Sequence, residues 1–195
     1  METMIKKMTA IAIIGFIALA SQHVNAQTYQ SSAAKVTING TSTLHDWDMT
    51  SSSGTIKATF TVSNDQVTNI SALSFNVLAE SLKSSKSGLD KNAYKALKTG
   101  TSKQITFTMT SGKVTPGSGS NFKVSVTGNL TIAGTTKATT IQANGVYNPA
   151  DRSITVKGAT KFNMTEYKVT PPTVMMGTIK TGDSITIDYS AKLSQ

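Results

Sequence analysis

The chain has 195 residues, no cysteine, two histidines, and a formal net charge of +9 from 19 Lys and Arg against 10 Asp and Glu. Disulfide scaffolds are excluded outright, and so few histidines without any cysteine argue against an ordinary zinc, copper or haem centre. The basic balance does not read as a nucleic-acid surface: Lys57, Lys123, Lys157 and Lys192 stand singly among threonines and serines, Arg152 is the only arginine, and no aromatic-basic platform appears.

Residues 1–26 have the parts of a secretory signal peptide. Lys6 and Lys7 precede an apolar run, Met8 to Ala20, too short to span a bilayer comfortably, and Val24-Asn25-Ala26 offers small or modest side chains at a cleavage site. The expectation is cleavage after Ala26 and a periplasmic or secreted product, with an uncleaved anchor as the rival. What remains, 27–195, is still basic and reads as a single domain long enough to enclose a core.

Residues 42–47 read Ser-Thr-Leu-His-Asp-Trp, which places Trp47, the sole tryptophan, two residues from His45. His45 beside Asp46 has the composition of a base and its orienter, but adjacent strand residues point to opposite faces. No nucleophile elbow, phosphate loop or carboxylate pair accompanies them. The pair is therefore expected at a strand start or corner, with Trp47 burying an apolar face and His45 hydrogen-bonded locally. Neither a catalytic nor a metal site is expected.

Period-two alternation follows. Ile56, Ala58, Phe60 and Val62 share one face against Lys57, Thr59 and Thr61; Leu73, Phe75 and Val77 continue it. Ile105, Phe107 and Met109 form the next run, then Phe122, Val124, Val126, Gly128, Leu130 and Ile132. Ile141, Ala143 and Tyr147, then Ile154, Val156, Phe162 and Met164, and last Ile185, Ile187, Tyr189 and Leu193 complete the series. Strands with one dry and one wet face produce this signature. Turn residues at 63–66, 116–120, 133–136 and 148–151 fit hairpins between them. One stretch differs: over 87–100 the period is helical, with Leu89, Ala93 and Leu97 on one side and Lys91, Lys95 and Lys98 on another. Ser87 or Asp90 is placed to cap this helix and Gly100 to end it. A lone short helix in a strand-rich chain covers a barrel end.

The pattern predicts an all-β antiparallel barrel or sandwich with one short helix. A membrane barrel would turn its apolar face to lipid and carry aromatic girdles. This chain has few aromatics and many lysines on its polar faces, so the apolar face is expected inside, with no integral membrane insertion. Phe107, Met109, Phe122, Val126, Leu130 and Phe162 should point inward, and Lys57, Lys123 and Lys157 outward. Small residues (Ala58, Ala72, Gly128, Ala143, Gly158) stand among the inward phenylalanines. They fit jigsaw packing and a ligand tube equally well on composition alone.

Four blocks, in order, carry a family resemblance: GTSTLHDW at 40–47, LDKNAYKALKT at 89–99, GNLTIAGTTKATTIQ at 128–142, and KFNMTEYKVTPPTVMMGTIKTGDSITIDY at 161–189. Together they resemble the YceI-like family of secreted polyisoprenoid-binding proteins, in the subgroup where Ser-Thr-Leu precedes the histidine. The resemblance implies an extended lipocalin-like barrel with no catalysis, metal or cofactor. It also implies a tunnel for a long amphiphilic lipid, a polyisoprenoid or an isoprenoid quinone, to be carried or sequestered. The candidate lining is Phe60, Phe75, Phe107, Phe122 and Phe162, with Val126, Leu130 and Ala143 from the inward phases. The adaptable Met109, Met164, Met175 and Met176 join it, the last two placed after Pro171-Pro172 to guard the mouth, and Trp47 is a candidate for the border. A ligand-free structural or interaction barrel is the alternative. The helix lysines are read first as a solvated face and second as an anion-attracting rim.

Overall fold

Strands that are apolar on one side only must bury that side, and eight of them close on themselves here. The computed structural model describes residues 26–195; the leader reading falls outside the described residues. In chain order come β1 (Ala26–Ser42), β2 (Trp47–Ser63), β3 (Gln66–Leu78), α1 (Ser87–Ala96), β4 (Gln104–Pro116) and β5 (Asn121–Ile132). They are followed by β6 (Thr135–Asn148), β7 (Ser153–Asn163), β8 (Thr173–Val174) and β9 (Ile179–Leu193). Neighbours pair antiparallel from β1 to β7, β9 follows β7, and β9 pairs back to β1 through Val36↔Tyr189 and Ile38↔Ile187. Two-residue β8 pairs only with β9. The expected antiparallel barrel with one helix is what forms.

The apolar phase lies inside. Phe107, Phe122, Val126 and Leu130 are buried, Met109 and Phe162 are partly buried against the core, and Lys57, Lys123 and Lys157 are exposed. Outside, threonines meet directly across strands: Thr37–Thr50 at 3.0 Å, Thr127–Thr140 at 2.9 Å and Thr131–Thr136 at 2.8 Å. Such cross-strand hydroxyl pairs stabilise a wet face by a few tenths of a kcal/mol each. Two-residue turns at Asn64-Asp65 and Ala133-Gly134 have φ of 50–59° and 50–79°, the left-handed backbone that matches strand twist.

One inward assignment reverses. The β2–β3 register slips between Thr59↔Ala72 and Phe60↔Ile70, so Ile70 and Leu73 both face in and Ala72 is exposed. A bulge inserts one residue and flips the phase beyond it.

The register assigns each connection to an end. The β2–β3, β4–β5 and β6–β7 turns gather at one end with Ala26 and Gln195. The β1–β2 loop, α1, the β5–β6 turn and the 164–178 excursion gather at the other.

Candidate functional site

At the end that holds the termini, large side chains fill the barrel completely. Tyr29, Ile154 and Leu193 are 0 % exposed and Phe60 and Phe122 are 2 % exposed. The rings of Tyr29 and Phe60, and of Phe60 and Phe122, meet edge to face with centroids 6.0 Å apart. The buried Tyr29 phenol is not orphaned: it donates to the Gln27 Oε1 at 3.1 Å and accepts from Gln195 Nε2 at 3.1 Å.

Above this floor the barrel is hollow. A cavity of about 450 Å³ runs from Phe60 and Leu193 to the opposite end. That volume lies within the range of small-molecule pockets. Its wall is almost wholly apolar. Ile56, Leu73, Phe75, Ile105, Phe107, Val126 and Leu130 line one side, and Ile141, Ala143, Phe162, Ile185 and Ile187 the other. Among the described residues no Asp or Glu borders it, the cationic groups that do are Lys35 and Lys86, and His45 stands near the open end.

Helix α1 roofs part of that end. Leu89, Ala93, Ala96 and Leu97 turn into the cavity, while Lys91 and Lys95 are exposed and away from it. Tyr94 anchors the helix by donating to the Glu80 and Leu82 carbonyls at 3.0 and 2.8 Å, and Thr99 donates to Glu80 Oε1 at 2.7 Å. The caps differ from expectation. Lys86 takes the N-cap position without a side-chain bond, because the Asp90 carboxylate is engaged by the Ser84 N–H and hydroxyl at 2.8 and 2.7 Å. Those two bonds hold the Asp90 carboxyl below its usual value. Lys98, at φ 56°, turns the chain out of the helix in place of Gly100.

The barrel wall itself is incomplete near this end. β6 and β7 pair only from Ala143↔Gly158 to Asn148↔Ser153. Beyond that they part, and a 3₁₀ turn at Met164–Tyr167 folds into the gap. Tyr167 hydrogen-bonds Thr139 at 2.7 Å and packs on Phe162 at 5.0 Å, so side chains rather than a ladder seal the split.

The Ser42–Trp47 loop forms a corner, as its composition predicts. Ser42 Oγ accepts from the N–H groups of Leu44 and His45 and donates to the His45 carbonyl, and His45 Nδ1 lies 2.7 Å from the Asp46 carbonyl. Trp47 opens β2 opposite Gly40, and a Cβ at Gly40 would overlap its indole; Nε1 donates to the Thr41 carbonyl at 3.0 Å. The tryptophan thus closes the loop against β1 and borders the cavity. The loop is stitched to the β8–β9 hairpin: Thr43 N–H donates to the Lys180 carbonyl at 3.0 Å and Lys180 N–H to Thr43 Oγ1 at 3.1 Å.

Of the candidate lining, Trp47, Phe60, Phe75, Phe107, Val126, Leu130, Ala143, Phe162 and Met164 border the cavity. Four residues lie elsewhere. Phe122 is in the packed floor, its ring over Gly145. Met109 sits beside Ile70 and Gly112, where β3 and β4 part beyond Ser74↔Thr108. Met175 and Met176 form the tip of the β8–β9 hairpin, 72 % and 108 % exposed, while Val174 and Ile179 of that hairpin reach the cavity. Both methionines have positive φ, 51° and 56°, at a cost of about 1–2 kcal/mol per residue. Gly128 leaves no lumen space, because the Phe107 ring lies on it. The helix face was legible as an end cover but not as cavity lining, although its Leu89–Ala93–Leu97 spacing carried the signal.

A family model described as YceI-like domain matches residues 18–193. No curated protein matches the chain. Among solved structures, BcnA of Burkholderia cenocepacia superposes with a TM-score of 0.63 at 16% identity, over 83% of this chain and 96% of that one. A polyisoprenoid binding domain from Saccharophagus degradans, implicated in plant cell wall breakdown, gives 0.60 at 11% identity, over 87% and 99%. A Campylobacter jejuni YceI protein gives 0.51 at 18% identity, over 64% and 72%. At these identities the likeness is one of fold.

Proposed function

From the premise that this chain belongs to the YceI-like domain family, we propose that it binds a long-chain amphiphilic lipid in the barrel cavity and carries or sequesters it without catalysis. One observation carries the reading: a deep apolar cavity persists above a floor packed to the last side chain. A chain able to close-pack one end of its barrel has the residues to fill the other, and an apolar void forgoes contacts that a hydrocarbon supplies. Each Å² of apolar surface a bound lipid removes from water contributes about 25 cal/mol.

The proposed ligand is a polyisoprenoid or an isoprenoid quinone. Its isoprenoid tail would lie against Phe75, Phe107, Leu130 and Phe162, and its head at the end bordered by His45 and Lys86. The lining has no carboxylate among the described residues, which favours a neutral or anionic head over a cationic one. The neighbour from Saccharophagus degradans supports the same ligand class. The leader composition supports a working protein in the periplasm or outside the cell, and the N-terminal mass of the recovered protein should correspond to a start at Gln27.

The decisive test is mass spectrometry of an organic extract of the gently purified protein. A stoichiometric long-chain lipid is expected. A lipid-free protein that also takes up no polyprenol or quinone on incubation overturns the reading in favour of a structural or interaction barrel.

A further inference from the structure

We propose that the cavity end bearing the Ser42–Trp47 loop and the β8–β9 hairpin docks on an anionic lipid bilayer, with Met175, Met176 and Leu44 as its apolar contacts. The proposal rests on the lipid-binding reading for its purpose but on separate residues for its evidence.

Three of the five large apolar side chains exposed among the described residues belong to these two segments: Leu44 at 66 %, Met175 at 72 % and Met176 at 108 %. The segments are hydrogen-bonded to each other through Thr43 and Lys180, and a further bond runs from Thr43 Oγ1 to the Thr178 carbonyl. Their exposed apolar groups therefore ride on one unit. A hairpin tip with three successive left-handed residues, Met175, Met176 and Gly177, ordinarily takes Asn, Asp or Gly. Methionine there bears backbone strain and gains no burial within the chain. Hydrocarbon just beneath a headgroup layer is a phase that would bury it.

Charge selects the occupant. Lys180 adjoins Thr43, Lys86 borders the cavity, and Lys91, Lys95, Lys98 and Lys168 are exposed at the same end. The single ion pair among the described residues, Lys192–Asp151, lies at the opposite end. Asp46 and Asp48 oppose this cationic set from the loop side, and Glu80, Asp90, Glu166 and Asp183 keep their charge while accepting from Thr99, Ser84, Asn163 and Thr165; Lys83, Lys103, Lys137 and Lys161 at the same end leave the lysines in excess. Lysines beside an uncharged apolar tip match an anionic membrane surface, which attracts basic groups while its interior accepts the methionines. Docked in this way, the cavity end faces the phase that holds lipid.

The test is flotation of the full chain, recovered as the producing cell processes it, with vesicles of phosphatidylcholine alone or mixed with phosphatidylglycerol. Wild type should float with the mixed vesicles and far less with the neutral ones. The M175S/M176S variant should lose at least about tenfold of that affinity while keeping its unfolding midpoint. A143F, which blocks the cavity, should float like wild type, so that failure to load lipid and failure to dock read out separately. Equal flotation of M175S/M176S and wild type overturns the proposal, as does a wild type that ignores anionic vesicles. A dimer that M175S/M176S dissolves, without vesicle binding, assigns the tip to a second copy and overturns it as well.

Discussion

At one end of the barrel Tyr29, Phe60, Phe122, Ile154 and Leu193 interlock with almost no exposed surface; at the other, rings and aliphatic chains of the same kinds stand around empty volume under a helix that touches them with one face. The residue types do not differ between the two ends, and neither does the alternation that carries them. What differs is what closes each end. Three hairpin turns and both described chain ends lie at the floor, whereas the β1–β2 loop, α1 and the 164–178 excursion stand around the open end. Inward-facing hydrophobic residues therefore become core or cavity wall according to their depth along the barrel.

The largest expected effect of that contrast is on stability. Phe122→Ala removes a ring that packs on Phe60 and Gly145, and should cost about 3–5 kcal/mol in denaturant unfolding. Leu44→Ser at the open end should change stability by less than about 0.5 kcal/mol. Comparable losses at both sites would erase the distinction between floor and mouth.

A substitution on the cavity wall sharpens it. Ala143 borders the void, so Ala143→Phe should enter unfilled space and abolish lipid uptake with little change in stability. In a close-packed interior the same ring would cost about 1–3 kcal/mol. Stability of the lipid-free protein and uptake of a polyprenol, measured together, distinguish the two outcomes.

A smaller effect comes from the wall seam. Tyr189 donates to the Gln142 carbonyl at 2.6 Å, and burial pushes its phenol up from 10.0 to about 12. The folded state then keeps a proton that the unfolded state releases, so this contribution to stability is complete below pH 10 and lost as pH rises toward 12. Burial raises Tyr29 and Tyr167 in the same direction. The denaturation midpoint should fall over that window, and Tyr189→Phe should flatten the fall. An unchanged slope in the variant would remove Tyr189 from the account.

The smallest effect concerns charge on α1. Lys91 and Lys95 point away from the cavity while Lys86 borders it. Replacing Lys91, Lys95 and Lys98 with glutamine should leave uptake of an anionic prenyl lipid and a neutral quinone in the same ratio. Lys86→Gln should lower the anionic one alone, as titrations of both ligands would reveal.

Family resemblance, not pattern, singled out a barrel over a sandwich, whereas alternation, turn residues and the spacing of Leu89, Ala93 and Leu97 were enough to determine the antiparallel all-β class, the inward and outward faces, the hairpins and the helix. Each of these depends on contacts between residues close in sequence or on a period of two or 3.6. β1 escaped because register shifts between Ser31, Ala34 and Val36 break its alternation, and Ala72 was misassigned by the bulge opposite Thr59. Only the tertiary structure decided that Phe122 belongs to the floor and Phe107 to the wall, that the Phe107 ring takes up the space at Gly128, and that Tyr167 seals the split between β6 and β7. These outcomes depend on how far along the barrel a residue sits and which distant strand lies opposite. β1 meets β9 across almost the whole chain, and no local period records that pairing.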